Sequence, residues 1–438
     1  MILVIFYLRG PKRLAPGPRP LPIIGNLHIL TSSPHRFISS LTKTYGPIVH
    51  LKLGSTTSIF ISSPSLIEKL FKNHDIAISN RPPAEALHIL SYGFKGFAFT
   101  EHGTYWRNVR KLCVHNLLGS GKVESYEFVK REEIESLVDS LKVAAEEKAV
   151  VDVTAKVTYF NLIILFDLQG IRRRTKAVRE KIGRFFEMII NEHLMLREKG
   201  QKRKNDFVDV LLDAKNDMGN LESQVCMSSI KAILMEVLMT ALDSTSYGID
   251  WAFTELIRHP RIMKKLQDEL MRVVGPRRMV EESDIPKLAY LGMVIKESLR
   301  LHGLTAFVSR RNRMDISLDG YRIPAGSNIT LCSWAVARDP DFWPNAEEFI
   351  PERFEKTSPE FKGHDFHYFP FGSGRRICAG MSFGLSVVPL VLAQLVHCFD
   401  WRLPHGVSPS GLEMDERFGF IMSRVAHLEA TPISRLSI

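Results

Sequence analysis

The stretch FGSGRRICAG, Phe371 to Gly380, sets one cysteine among three glycines and two adjacent arginines. Glycine reaches positive φ without a Cβ clash, so Gly372, Gly374 and Gly380 allow a tight turn and a close approach of backbone to a flat ligand. An amphipathic run begins at Gly380 and puts Cys378 just before a helix N-terminus. Free N–H groups and the helix dipole stabilise a thiolate there, which is what a thiolate metal ligand requires. A buried structural cysteine in a glycine turn is the plainer alternative for a lone cysteine, so the rest of the chain has to decide.

Of the 438 residues, 45% are hydrophobic and 24% charged, enough apolar material for a large core around a prosthetic group and too much for a disordered chain. A net charge of +10 favours acidic partners. Nucleic acid is not expected among them, because no zinc-finger spacing or RNA-binding aromatic signature accompanies the basic residues; Arg172, Arg173, Arg174, Lys176 and Arg179 read as one solvated helical face. The five cysteines, Cys113, Cys226, Cys332, Cys378 and Cys398, are widely spaced and include no CxxC pair. Unpaired thiols suit a reducing compartment, which places the folded body on the cytosolic side of any membrane.

Residues 1–8, MILVIFYL, are apolar and are followed by Arg9, Lys12 and Arg13. Eight helical residues rise only about 12 Å against roughly 30 Å of bilayer core. They are expected to be the tail of a membrane anchor whose beginning is absent, with residues 9–27 forming a basic stop and a stiff, proline-rich linker through Pro16, Pro18, Pro20 and Pro22. Residues 28–438 then read as one mainly helical domain with a small β component.

Short β-rich runs are expected at Ile48 to Leu53, Ser58 to Ile61, Asp319 to Ile323 and Asn328 to Leu331. The clearest helix runs from Ser228 to His259, with Ser228 or Ser229 as N-cap and Pro260 as stop. Its length, more than about 40 Å, and its apolar sequence require it to cross the core. Further helices are expected at Arg261 to Val274, Leu288 to Leu301 and Gly380 to Cys398.

Within the long helix, Asp243 and Ser244 lie beside Ala241, Thr245 and Gly248. A carboxylate inside an apolar helix is costly unless it has a partner or a task, and its position excludes a capping role. Glu297 and Arg300, three apart, share a helix face and could form an ordinary ion pair. Trp106 and Arg110, four apart, point the same way on another basic run.

Phe371, Gly374, Arg376, Cys378 and Gly380 match the FxxGxRxCxG signature of the cytochrome P-450 family, and the chain resembles that family, in particular the plant microsomal A-type group, over nearly its whole length. LPIIGNLH, SNRPPAEAL, DFVDVLLD, WAVARDPDFW and LAQLVHCFDW carry the likeness outside the cysteine loop. The resemblance implies a long central helix over haem b and Cys378 as axial iron ligand, a thiolate whose electron density favours O–O cleavage. It implies that Phe371 shields the sulfur and Arg376 meets a haem propionate. Gly372, Gly374, Gly380 and Arg310 would also belong to the cofactor site, and Trp106 and Arg110 would hydrogen-bond a propionate. Glu297, Arg300 and Arg353, the last in FIPERF, would form a structural network. Asp243 and Ser244 would be the acid and alcohol of oxygen activation, with Thr245 able to share the role.

The resemblance further implies a monooxygenase that uses O2 and NADPH through cytochrome P-450 reductase, at the cytosolic face of the endoplasmic reticulum membrane, on a small apolar aromatic or terpenoid plant metabolite. Exposed basic residues, Arg375 first, would attract the acidic reductase. The chain departs from the family in four places. Ser244 stands where threonine is usual and Ala241 where glycine is usual. Phe166 and Asp167 abut where several dozen residues are normal, Gly303 and Ala306 replace two prolines, and Pro389 falls inside an expected helix. Two other readings follow: a haem-binding but inactive shortened form, motivated by that junction, and a haem-thiolate isomerase or dehydratase, disfavoured because such relatives lack the acid and alcohol pair.

Overall fold

Prolines and a β-branched hairpin organise the amino-terminal part of the protein in the computed structural model, which describes residues 14–159, 171–199, 207–216, 225–356 and 359–436. The apolar start 1–8, the basic residues Arg9, Lys12 and Arg13, and the junction of Phe166 with Asp167 lie outside the described residues. The chain forms two compact units, one from Met1–Pro82, Leu299–Cys378 and Glu416–Ser423, the other from Pro83–Ser298, Ala379–Asp415 and Arg424–Ile438.

The first unit is built on a four-stranded sheet in the order Ile48–Leu53, Thr56–Ile61, Asn328–Leu331, Val308–Arg311. The first pair is antiparallel with Ile48 opposite Ile61, the middle pair parallel with Ile59 opposite Ile329, and the last antiparallel with Arg310 opposite Ile329. Ile59, Ile61, Ile67, Leu70, Ile78, Ile329 and Leu331 form its buried core. Helix Pro64–His74 packs there, opened by Pro64 at its first turn and by Ser63, whose hydroxyl accepts from the Leu66 N–H.

Two expectations are corrected in this unit. From Leu14 on, the proline-rich segment does not stand off as a linker: its carbonyls line the edge strand, His50 N–H donating to Pro16 and Gly54 N–H to Ile24. A proline lacks the N–H of a ladder but keeps the acceptor, so it can cover an edge without extending it. The strand expected at Asp319 to Ile323 is Tyr321–Ile323, because Asp319 and Gly320 adopt φ of 52° and 81° and form the turn of a hairpin with Ile316–Leu318.

The second unit is mainly helical. Its long helix is Met227–Arg258, capped by Cys226 and not by Ser228 or Ser229. Every residue from Gly248 to Ile257 is buried, as a helix crossing a core must be. Pro260 both stops it and opens the next helix, Pro260–Val273, since proline suits a first helical turn and no interior.

Helix Met381–Cys398 packs on the long helix. Among the described residues it alone is long and apolar enough to cross a membrane, but it is mostly buried and serves as core. Pro389 is buried inside it without interrupting it. A small sheet in the order Val151–Asp152, Glu429–Ser434, Phe399–Arg402 closes the unit.

Candidate active site

The cysteine loop belongs to the first unit. Gly372 and Gly374 take φ of 76° and 67°, as expected from their conformational freedom. Gly374 is required twice over, because a Cβ there would lie 2.6 Å from Asp75 Oδ1 and 2.7 Å from Phe71 Cε1. The turn closes on itself when Cys378 N–H donates to the Phe371 carbonyl at 2.9 Å and Ile377 N–H to Gly374 at 3.0 Å. Phe371 rests edge-on against Phe361.

Two buried arginines hold this loop. Arg310 Nη2, from strand Val308–Arg311, donates to the Ser373 carbonyl at 3.1 Å, and Arg376 Nε donates to the Ser79 carbonyl at 2.7 Å. Both bonds go to backbone carbonyls of this unit. Cys378 is exposed although Gly372, Ser373 and Arg376 around it are buried. An accessible cysteine in a loop that carries two arginines fits a metal-bearing cofactor with carboxylate arms. Arg375, expected as a free surface cation, is paired with Asp75 Oδ2 at 3.1 Å, which reduces its pull on an acidic partner.

Arg300 and Arg353 also come together in the first unit. Arg300 donates to the carbonyls of Ala337, Ala346 and Glu348, and Arg353 to those of Pro344, Asn345 and Glu348. Glu297, one turn before Arg300 on helix Ala289–Leu301, is fully buried.

In the second unit, eight consecutive residues of the long helix, Val237 to Ser244, are all partly accessible, whereas the turns that follow are buried. Met381 to Ser386 show the same partial exposure at the start of their helix. Gly380 keeps an ordinary φ of −90°, and a Cβ on it would meet nothing within 4 Å. Its glycine is therefore not needed for a strained turn, which corrects the expectation, but the open space suits the approach of a flat ligand. Accessible apolar helix surface of this kind fits a porphyrin.

The long helix carries four carboxylates, and three are answered within the protein. Glu236 accepts from the backbone N–H groups of Phe97 and Ala98. Asp250 accepts from Thr154 and faces Arg424 at 3.6 Å. Glu255 meets His259 at 3.2 Å and Arg258 at 3.5 Å. Among the described residues Asp243 makes no hydrogen bond or ion pair, and desolvation raises its pKa above the ordinary carboxylate value. Ser244 beside it donates to the Thr240 carbonyl at 2.6 Å, leaving its oxygen as an acceptor. Thr245, the next residue, is buried, 4% exposed.

Trp106 and Arg110 lie on one face of helix Thr104–Asn116, with the guanidinium 5.6 Å from the indole centroid. The indole Nε1 donates to the Phe97 carbonyl at 2.8 Å. An indole has a single N–H, so in this arrangement Trp106 has no second donor for the propionate bond expected of it. Glu236 escaped the sequence reading, although the cost of a carboxylate in an apolar helix, applied to Asp243, applies equally to it. Arg179, expected on a solvated face, stacks over the Tyr92 ring at 4.6 Å.

Comparison with known proteins adds an independent line. The cytochrome P-450 family model matches residues 15–166 and 156–426. A cytochrome P-450 of Panax ginseng is 42% identical over 99% of this chain and 96% of its own length. The germacrene A acid 8-beta-hydroxylase of Helianthus annuus is 37% identical over 99% and 97%, and the costunolide synthase of Tanacetum parthenium 35% over 98% and 94%. Among solved structures, a zebra fish cytochrome P-450 with progesterone superposes with a TM-score of 0.79 at 22% identity, covering 92% of this chain and 99% of that one.

Proposed function

The chain belongs to the cytochrome P-450 family, the haem-thiolate monooxygenases, and on that premise we propose that it draws electrons from NADPH through cytochrome P-450 reductase to hydroxylate a small apolar terpenoid or aromatic plant metabolite. As a family member it is an oxidoreductase with haem as its prosthetic group and O2 and NADPH as co-substrates. When bound, the haem activates O2 so that one oxygen atom enters the substrate and the other leaves as water, with two electrons from NADPH and two protons.

The roles of individual residues follow from their chemistry. Cys378, exposed in its loop, supplies the thiolate ligand, and Phe371 limits access of water to the sulfur. Arg310, Arg376 and Arg110 are the cations for the propionates. Gly372 and Gly374 shape the loop and Gly380 leaves room beside it. Glu297, Arg300 and Arg353 hold the fold around the site and touch no reacting atom.

One observation carries the reading most directly: Asp243 is the carboxylate of the long helix that the protein leaves without a partner among the described residues, in a partly accessible apolar stretch. Desolvation raises the Asp243 pKa, which favours its taking up a proton to pass on, and the Ser244 oxygen next to it can hold a water. Together they deliver the protons that the chemistry consumes.

The substrate class is inferred from relatives named for germacrene A acid and costunolide. The basic net charge of +10 suits an acidic reductase and an anionic membrane surface, consistent with the cytosolic face of the endoplasmic reticulum. The test is reconstitution with reductase in microsomes under 18O2, with germacrene A acid and a panel of simple phenols. NADPH-dependent products carrying one labelled oxygen are expected; label-free turnover, or none with intact haem, rejects the reading.

A further inference from the structure

Phe97 is held on both sides of its residue by opposite helices of the second unit. Its N–H, with that of Ala98, donates to Glu236 Oε2 at 2.6 and 2.8 Å, and its carbonyl accepts from Trp106 Nε1 at 2.8 Å. Glu236 is 1% exposed and Trp106 4%, so neither bond is shared with bulk water. Gly96 is the residue that allows this approach, because a Cβ on it would lie 2.1 Å from Glu236 Oε2. The loop is braced further by Thr100 Oγ1, which donates to the carbonyls of Phe94 and Gly96.

A carboxylate accepting two backbone N–H groups makes charge-assisted bonds, stronger than neutral ones. Burying a carboxylate is costly unless it is hydrogen-bonded, and the two N–H groups on one oxygen supply that compensation. The consequence runs through Trp106. With its one N–H committed to Phe97, the indole is fixed in rotation, and its face carries the Arg110 guanidinium at 5.6 Å.

We propose that Glu236 is a positioning residue for Arg110: by clamping Phe97 and Ala98 to the long helix it fixes the Trp106 ring on which the Arg110 cation is stacked, and so sets how firmly that cation holds an acidic arm of the cofactor. The step from Arg110 to the cofactor rests on the monooxygenase reading; the clamp itself does not. Glu236, Thr240 and Asp243 also occupy one face of the same helix, and Thr240 donates its hydroxyl to the Glu236 carbonyl. The clamp therefore anchors the turn from which the proton-delivering stretch continues.

The test measures amide exchange over residues 93–103 and the rate of haem transfer to apomyoglobin in the full chain, for the wild type, Glu236→Ala, Glu236→Gln, Gly96→Ala, Arg110→Ala and the Glu236→Ala/Arg110→Ala double variant. Glu236→Ala is expected to speed exchange at Phe97 and Ala98, and haem release, each by about tenfold. Glu236→Gln keeps an acceptor oxygen and should restore most of both. The double variant should release haem no faster than Arg110→Ala alone, as for residues acting in series. Gly96→Ala displaces the carboxylate from the loop side and should reproduce the exchange result, which covers the case in which Glu236→Ala does not fold. Unchanged exchange in the Glu236→Ala and Gly96→Ala chains overturns the clamp. Faster exchange with unchanged haem release, or additive release in the double variant, overturns the link to Arg110. A wild-type chain that takes up no haem would instead count against the monooxygenase reading, with the exchange measurement still deciding the clamp.

Discussion

Arg300 and Arg353 converge on one acceptor, the carbonyl oxygen of Glu348, at 3.1 and 3.5 Å. Each then reaches two further carbonyls, Ala337 and Ala346 for Arg300, Pro344 and Asn345 for Arg353. Two planar forks of donors thus tie down an irregular segment that has little ladder of its own. Arg300→Ala removes a fully buried cation and takes the donor from the Ala337 and Ala346 carbonyls, a loss of about 3–5 kcal/mol. Soluble yield and haem content should both fall sharply, and Arg300→Lys should not restore them, since an ammonium cannot span the same acceptors. Thermal unfolding of the purified variants checks this.

Cys378→Ser should abolish the thiolate-type band of the reduced carbon monoxide spectrum, because an alcohol is a far poorer iron ligand than a thiolate. Serine in place of Cys113, Cys226, Cys332 or Cys398 should leave that band intact. A surviving band in the Cys378→Ser protein would put the ligand elsewhere.

At Ser244 the measurable quantity is coupling. Ser244→Ala removes the oxygen next to Asp243, so more hydrogen peroxide and less product should form per NADPH consumed. Ser244→Thr restores the methyl that restricts χ1 and should couple at least as well as the wild type. Thr245→Ala, altering a buried hydroxyl, should change coupling little. Equal product per NADPH across the series would remove Ser244 from proton delivery.

Glu416 provides a pH signature. Burial alone would raise its pKa, but the hydrogen bond from His35, the charges of Arg338 and Arg36 and the bond from Trp334 together bring it from the ordinary 4.5 down to about 2. An acid with a depressed folded pKa contributes stability above its unfolded pKa and loses it as pH falls toward the folded one. Glu416→Gln should therefore cost about 2 kcal/mol at pH 7. The gap to wild type should narrow from pH 4.5 and close near pH 2, as read from denaturant unfolding at a series of pH values.

Cys226 should be the most reactive thiol of the haem-loaded protein. Desolvation opposes its ionisation, but hydrogen bonds from Ser228 and Ser229 and the Lys95 charge bring it down to about 7. Burial pushes Cys113 and Cys332 up beyond the range of biological pH and Cys398 to about 12. Alkylation by iodoacetamide, followed by peptide mapping, should label Cys226 first, with a rate that rises through pH 7.

Much of the chemistry was legible in the sequence because it depends on local spacing. The glycines around Cys378, the three-residue step from Glu297 to Arg300 and the four-residue step from Trp106 to Arg110 each follow from turn or helix geometry within a few residues. The strands at Ile48–Leu53 and Asn328–Leu331 were legible as short β-rich runs, and the burial of the long helix from its length and apolar sequence.

What the sequence could not decide were the partners of each polar group, because those come from segments far away in the chain. Asp243, Glu236 and Asp250 are equivalent as letters in one apolar helix, and only the fold answers Glu236 with a loop some 139 residues distant and Asp250 with Thr154 and Arg424, but gives Asp243 no such partner among the described residues. Trp106 likewise reads as a donor to a ligand until the Phe97 carbonyl is found 2.8 Å away. The sequence determined which residue types stand at which spacing, and with them the family and the candidate ligand cysteine. Tertiary structure alone decided which buried charges are satisfied, since a hydrogen bond is fixed by distances of a few ångströms that no local pattern encodes.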